Sequence, residues 1–151
     1  MSQEEICGIC TRGVAGRAAR VFGNCQYFST EGGNCGTIDF AYIAQPYSRK
    51  WKFNAFSLAA KKLVELTQKG YVAFSPITHS HPTDGLFDFE EYMKIDLAIM
   101  HALATSPVTK SFTLFLLKGW EESEGCKQEH KYARKLMNAG LPVSINYWVP
   151  V

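Results

Sequence analysis

Ser111-Phe112-Thr113-Leu114-Phe115-Leu116-Leu117, then Lys118-Gly119-Trp120-Glu121-Glu122-Ser123-Glu124-Gly125, then Cys126-Lys127-Gln128-Glu129-His130-Lys131-Tyr132-Ala133 decides the architecture. The first seven residues are nearly all apolar at their end, as expected of a strand covered on both faces, which is the habit of a parallel sheet between helical layers. A polar Ser-x-Gly turn follows and enters a helix that carries Glu129 within its first turns, runs to about Asn138 and ends at Gly140. Free backbone N–H groups and the positive end of the dipole collect at such a helix start. A carboxylate held beside them is placed to act on a sugar or phosphate ester, so the stretch is also a candidate active site.

The same alternation continues on both sides. Upstream, Ile38 to Ala44 is a short apolar run ended by Gln45-Pro46, a buried strand that proline cannot continue. From Trp51 to Lys69, Phe56, Ala59, Ala60, Leu63 and Leu66 recur at helical spacing, with Gly70 as the stop. Tyr71 to Ile77 reads as a second strand broken by Pro76, leading into an extended polar loop from Thr78 to Gly85. Strand, helix, strand implies a right-handed parallel crossover. Phe89 to Ala104 has helical spacing through Tyr92, Ile95, Ile99 and Leu103, with Asp96 flanking that stripe. Leu141 to Tyr147 closes the sheet as a fourth strand. The expected fold is α/β, a doubly wound, mostly parallel sheet in a Rossmann or flavodoxin-like three-layer sandwich, whose ligands sit beyond the carboxyl ends of the strands. The loops to read are then 45–50, 78–85 and 118–125.

Size and charge narrow the class. The chain has 151 residues, 46% hydrophobic and 20% charged, enough for one domain with a sizeable core. A formal charge of +2 with scattered Lys and Arg argues for a small-molecule partner and against direct nucleic-acid binding. No apolar run has membrane-spanning length, and the acidic Met1 to Glu5 is unlike a signal peptide, so a cytoplasmic protein is expected. Residues 1–36 read as an irregular cysteine-rich extension ahead of a domain over 37–151. Cys7, Cys10, Cys25 and Cys35 leave two readings open, a zinc site or reduced thiols, because the paired spacing of a zinc ribbon is missing.

On the loops and adjoining helices the chain gathers Tyr42, Ser48, Arg49, His79, His81, Asp96, Ser123 and Glu129. Two carboxylates and a phenol near a helix start suit chemistry at a glycosidic carbon. His79 and His81 alternate, so an extended loop would turn both the same way. Read by themselves, Glu129 is more readily a solvated helix residue and Tyr42 a core aromatic, and Ser123 serves as an N-cap. Cys126 reads as packing.

Four segments then resemble the nucleoside 2-deoxyribosyltransferase superfamily, in its uncharacterised bacterial and phage branches. They are Tyr42-Ile43-Ala44-Gln45-Pro46-Tyr47, Gly70 to Pro76, Asp96 within a helix, and Leu117-Lys118-Gly119-Trp120-x-x-Ser123-x-Gly125-x-x-x-Glu129-x-x-x-Ala133. The resemblance covers about Phe40 to Tyr147. It implies that Glu129 is the nucleophile, that Tyr42 orients it and that Asp96 contacts the sugar or moves a proton. It implies a substrate-binding role for Ser123, with Gly125 beside it, and by neighbourhood for Ser48 and Arg49; the loop pair His79 and His81, read from the residues alone, either binds phosphate or metal or only shapes the pocket. The implied activity is an N-glycosidase or deoxyribosyltransferase on a nucleoside or nucleoside 5'-monophosphate, needing no cofactor or metal and commonly homo-oligomeric. The alternative is a module of the same fold that binds a nucleotide without cleaving it. Two departures motivate that alternative. Ser106-Pro107-Val108-Thr109 lacks an Asp usual before the third strand, and Gln45-Pro46 replaces a Gly-rich turn.

Overall fold

The computed structural model describes residues 38–47 and 52–149. The extension 1–36, its boundary at Thr37, the four cysteines within it, and Ser48 and Arg49 lie outside the described residues. Strand β1 is Ile38–Ala44, and the helix that follows, α1, is Lys52–Gln68. Next come β2 (Val72–Phe74), the short α2 (Pro76–Ser80) and a 3-10 turn, His81–Thr83. Helix α3 (Phe89–Thr105) leads to β3 (Thr109–Leu116), a second 3-10 turn at Trp120–Glu122, α4 (Glu124–Asn138) and β4 (Val143–Tyr147).

The four strands form one sheet in the order β2-β1-β3-β4, and every neighbouring pair is parallel. Tyr42 lies opposite Phe74 on one side and Leu114 on the other, and Ala44 opposite Leu116. The chain winds outward from β1 to β2, then recrosses β1 to reach β3, so the winding reverses between β1 and β3. This is the doubly wound α/β arrangement with helices on both faces. Alternation along the strands divides the core. Tyr42, Ala44, Phe112, Leu114 and Leu116 pack with Met100, Ala104, Cys126, Ala133 and Leu136 of α3 and α4. Ala41, Ile43 and Phe115 pack with Leu66 of α1 on the opposite face.

Helix ends follow local chemistry. Asp88 caps α3 in a reciprocal box, accepting from the Glu91 N–H while the Glu91 carboxylate accepts from its own. Gly70 and Gly140 adopt φ of +92° and +83° just past α1 and α4, the left-handed backbone that releases a helix into a strand.

Several expectations shift. The strand predicted over Tyr71 to Ile77 stops at Phe74, because Ser75 accepts from the Thr78 N–H and Pro76 takes the first helical position, where its missing N–H costs nothing. The segment expected as an extended loop is therefore helical, and the alternation that aligned His79 with His81 does not apply. The buried stripe of α3 is Met93, Asp96, Met100 and Ala104, one position on from the predicted one, which places Asp96 within the stripe instead of beside it. Strand β3 also begins earlier, at Thr109, and β4 later, at Val143. Among the described residues no helix is long and apolar enough to cross a membrane.

Candidate active site

A cavity of about 330 Å³ opens beyond the carboxyl ends of β1 and β3, at the reversal of the winding. Ligands of this fold class bind at such a crevice because two diverging connections leave it unfilled. Segments following the first three strands line it: Gln45 and Tyr47 after β1, Pro76 to Phe87 after β2, and Ser123 and Gly125 after β3. Asp96 and Met93 of α3 and Cys126 and Glu129 of α4 complete it.

Glu129 reaches the cavity because it interrupts an apolar stripe. The buried residues of α4 are Cys126, Glu129, Ala133 and Leu136, spaced three, four and three apart. Only 5% of Glu129 is exposed. The Tyr42 hydroxyl donates to its Oε1 at 2.7 Å. Tyr42 is itself fully buried, its ring beside Phe74 and Phe112 at centroid separations of 5.6 and 6.3 Å. A strand residue of the sheet core thus fixes the carboxyl of a helix residue 87 positions away.

Asp96, 8% exposed, approaches from α3, and its Oδ1 is buried without a hydrogen-bond partner. Burial alone lifts its carboxyl to about 6. Glu129 rises further, to about 8, chiefly through burial and secondarily through the Asp96 charge, with the Tyr42 hydrogen bond working against the rise. Burial and the neighbouring acids push the Tyr42 phenol well above its ordinary value, so it remains a donor. The two carboxyls titrate as a pair and hold one proton between about pH 6 and pH 8. Desolvation first and then Glu129 raise the Cys126 thiol to about 12, leaving it protonated and inert as a nucleophile.

Ser123 caps α4, its Oγ accepting from the Cys126 N–H at 3.4 Å, and with Gly125 it brings the helix start to the cavity wall. The structure therefore gathers Tyr42, Asp96, Ser123, Gly125 and Glu129 around one site. His79 is exposed, lies against the Phe74 ring and does not line the cavity. His81 opens the adjoining 3-10 turn, and its side chain lies outside the described residues. Gln45, Tyr47, Ser80 and Asp84 line the cavity from the loops 45–50 and 78–85 that the sequence singles out, without having been named individually, whereas Ile77, Phe87, Phe89 and Met93 lie outside those loops. Phe89 and Met93 enter from α3, where the predicted stripe stood one position off. The 3-10 turn beneath this wall is tied to α3 by the Tyr92 hydroxyl, which donates to the Thr83 carbonyl.

A family model described as a domain of unknown function (DUF4406) matches residues 41–141 of the 151, a span that includes β1 from Ala41, all the cavity-lining segments and the whole of α4. No curated protein and no solved structure matches the chain.

Proposed function

We propose that this chain, which belongs to the family Domain of unknown function (DUF4406), cleaves the N-glycosidic bond of a nucleoside or nucleoside 5'-monophosphate by double displacement at C1'. The observation that carries the reading is the buried Tyr42–Glu129 hydrogen bond at a cavity whose lining also includes Asp96, with its Oδ1 buried and without a hydrogen-bond partner. A Glu carboxylate oxygen bonds to C1' as the C1'–N bond breaks, and the electron pair leaves with the base nitrogen. That nitrogen takes the proton held by the pair, through Asp96. Water, or an N–H nitrogen of a second base, then attacks C1' as the Asp96 carboxylate takes its proton, and the C1'–O bond breaks with its electron pair returning to the Glu129 carboxylate.

This chemistry needs an ionised Glu129 and a protonated Asp96; near neutrality the pair carries one proton, held mainly on Glu129, so the reacting form is the minor one in which that proton has passed to Asp96. Cys126 is the competing nucleophile in the cavity, and its raised thiol argues against it. The start of α4, with Ser123 and Gly125, is the proposed seat of a 5'-phosphate.

Base release should follow a bell-shaped pH dependence in kcat/KM, with limbs near pH 6 and pH 8. Below the first the pair is doubly protonated and lacks a nucleophile, and above the second it has lost the proton for the leaving base. A rate that climbs steadily to pH 10 would count against the shared proton.

Gly125→Ala separates substrate binding from folding. A methyl group there would lie 3.4 Å from Met93 Sδ, 3.7 Å from Phe89 Cε2 and 3.9 Å from Ser123 Oγ, ordinary contacts that require no rearrangement. Melting temperature should hold or rise slightly, since Ala outranks Gly in a helix by about 1 kcal/mol. KM for a 5'-monophosphate should rise several-fold more than KM for the nucleoside, because the added methyl narrows the helix start.

The direct test is chromatographic product analysis over a panel of nucleosides and 5'-monophosphates, with and without an acceptor base. Absence of free or exchanged base from every one, with folded protein, rejects the enzyme reading. Calorimetric nucleotide binding under the same conditions would then identify a binding module.

A further inference from the structure

Among the described residues two buried side-chain oxygens lack a hydrogen-bond partner, Asp96 Oδ1 and Gln45 Oε1, and both residues line the cavity. Asp96 belongs to the carboxyl pair. Gln45 has no part in the chemistry above, yet a buried acceptor without a donor is costly enough that it calls for an explanation.

The Gln45 amide is fixed in orientation. Its Nε2 donates to the Ala55 carbonyl in α1 at 3.1 Å. A carbonyl only accepts, so the nitrogen must face α1 and the oxygen must be the other terminus of the amide. The result is an immobilised acceptor at the end of β1. Alternation along β1 sets its side of the cavity. Tyr42 and Ala44 pack toward α3 and α4, while Ile43 packs toward α1 and Gln45 bonds to it. The acids thus stand on one wall, and Gln45 stands on the other with Ile43, Tyr47, Pro76 and Ile77. A nucleoside whose C1' meets Glu129 directs its departing base across the cavity toward that second wall. The wall is mainly apolar, suited to a flat heterocycle, and it carries one fixed acceptor.

We infer that Gln45 determines base specificity, its Oε1 accepting a hydrogen bond from the exocyclic amino group of a base such as adenine or cytosine. The inference rests on the nucleoside reading of the cavity. A base with hydrogen in place of the amino group leaves Oε1 unpaired and is rejected, which is how a polar pocket discriminates far more sharply than an apolar one. A carbonyl at the same position of the base meets Oε1 as acceptor against acceptor and is rejected more strongly.

The test measures binding by calorimetry and base release by chromatography. It compares deoxyadenosine and deoxycytidine, and their 5'-monophosphates, with the analogues in which hydrogen replaces the amino group and with those in which an oxo group replaces it. The unsubstituted protein should favour at least one amino-bearing base over its analogue by about tenfold or more in Kd and in kcat/KM. In Gln45→Met, which keeps the length and volume of the side chain, that ratio should fall close to one, with affinity for the hydrogen-substituted analogue unchanged. Equal handling of amino-bearing and hydrogen-substituted bases by the unsubstituted protein overturns the inference, whatever Gln45→Met does, and leaves the glycosidase reading standing. Preference for the oxo bases overturns it as well. Failure to bind or cleave any of these compounds overturns the inference together with the nucleoside reading.

Discussion

Glu129→Gln is expected to abolish base release and, in the same protein, to raise the melting temperature at alkaline pH. The two effects come from one fact, that a carboxyl only 5% exposed is held in the core at a pKa of about 8. As nucleophile, Glu129 supplies the bond to C1', and an amide does not replace it, so kcat/KM should fall by roughly 1000-fold or more. The stability effect has the opposite sign. In the unfolded chain the group titrates near its ordinary value of 4.5, so between there and about 8 the native protein binds more protons than the unfolded chain does. Stability therefore falls as pH rises through that window, and the loss is complete above the folded pKa. Gln cannot ionise and escapes the loss. The variant should match the parent near pH 4 and exceed it increasingly toward pH 9, by on the order of 4 kcal/mol and roughly 10 °C in melting temperature. Thermal scans at pH 4, 7 and 9 decide it. A variant no more stable than the parent at pH 9 would mean that Glu129 carries its charge at little cost, and an active variant would remove it from the mechanism.

The same residue shows how far the sequence could be read. The spacing of Cys126, Glu129, Ala133 and Leu136 is visible in the primary structure, and an acid inside an apolar stripe marks a cavity or a buried pair. The strand and helix alternation was legible for a related reason, since Phe112, Leu114 and Leu116 belong to one face of the sheet and Phe115 to the other, leaving an almost continuous apolar run. Helix phase was harder to read. In α3 the large residue Ile95 is 37% exposed while the buried line passes through Met93, Asp96 and Met100. In α1, Phe56 is 43% exposed while Ala55 and Ala59 are fully buried. In α1 small alanines pack against Ile77 while Phe56 lies at the edge, and in α3 two methionines and Asp96 take the contact while Ile95 turns outward, so ranking positions by hydrophobicity finds the period and misplaces the face of α3 by one residue. Ser75-Pro76 is ambiguous in another way, because the proline that ends a strand is equally suited to open a helix. Gln45 was out of reach for sequence reasoning, since its role depends on the carbonyl of Ala55 in the next helix.

Tyr42→Phe should lower kcat by roughly 10- to 100-fold while leaving KM nearly unchanged, and should move the alkaline limb of the pH profile upward. The ring is not the issue, because Phe preserves the contacts with Phe74 and Phe112 that hold β1 to its neighbours. What disappears is the hydroxyl that donates to Glu129 Oε1. Tyr42 does not line the cavity, so the substrate loses no contact and KM has little cause to change. The carboxyl loses both its orientation and the hydrogen bond that opposes its raised pKa. Its pKa therefore climbs above about 8, the pair's last proton is retained to higher pH, and the ionised nucleophile is scarcer at neutrality. Stability should fall by about 1–2 kcal/mol at pH 5, where the lost bond is to a neutral acid, and by more at pH 9, where it is to a buried carboxylate. That widening with pH separates a donor to Glu129 from a hydroxyl that merely fills space, for which the loss would be the same at both pH values. A variant with unaltered kcat and an unshifted alkaline limb would show that the 2.7 Å contact organises the core without serving the chemistry.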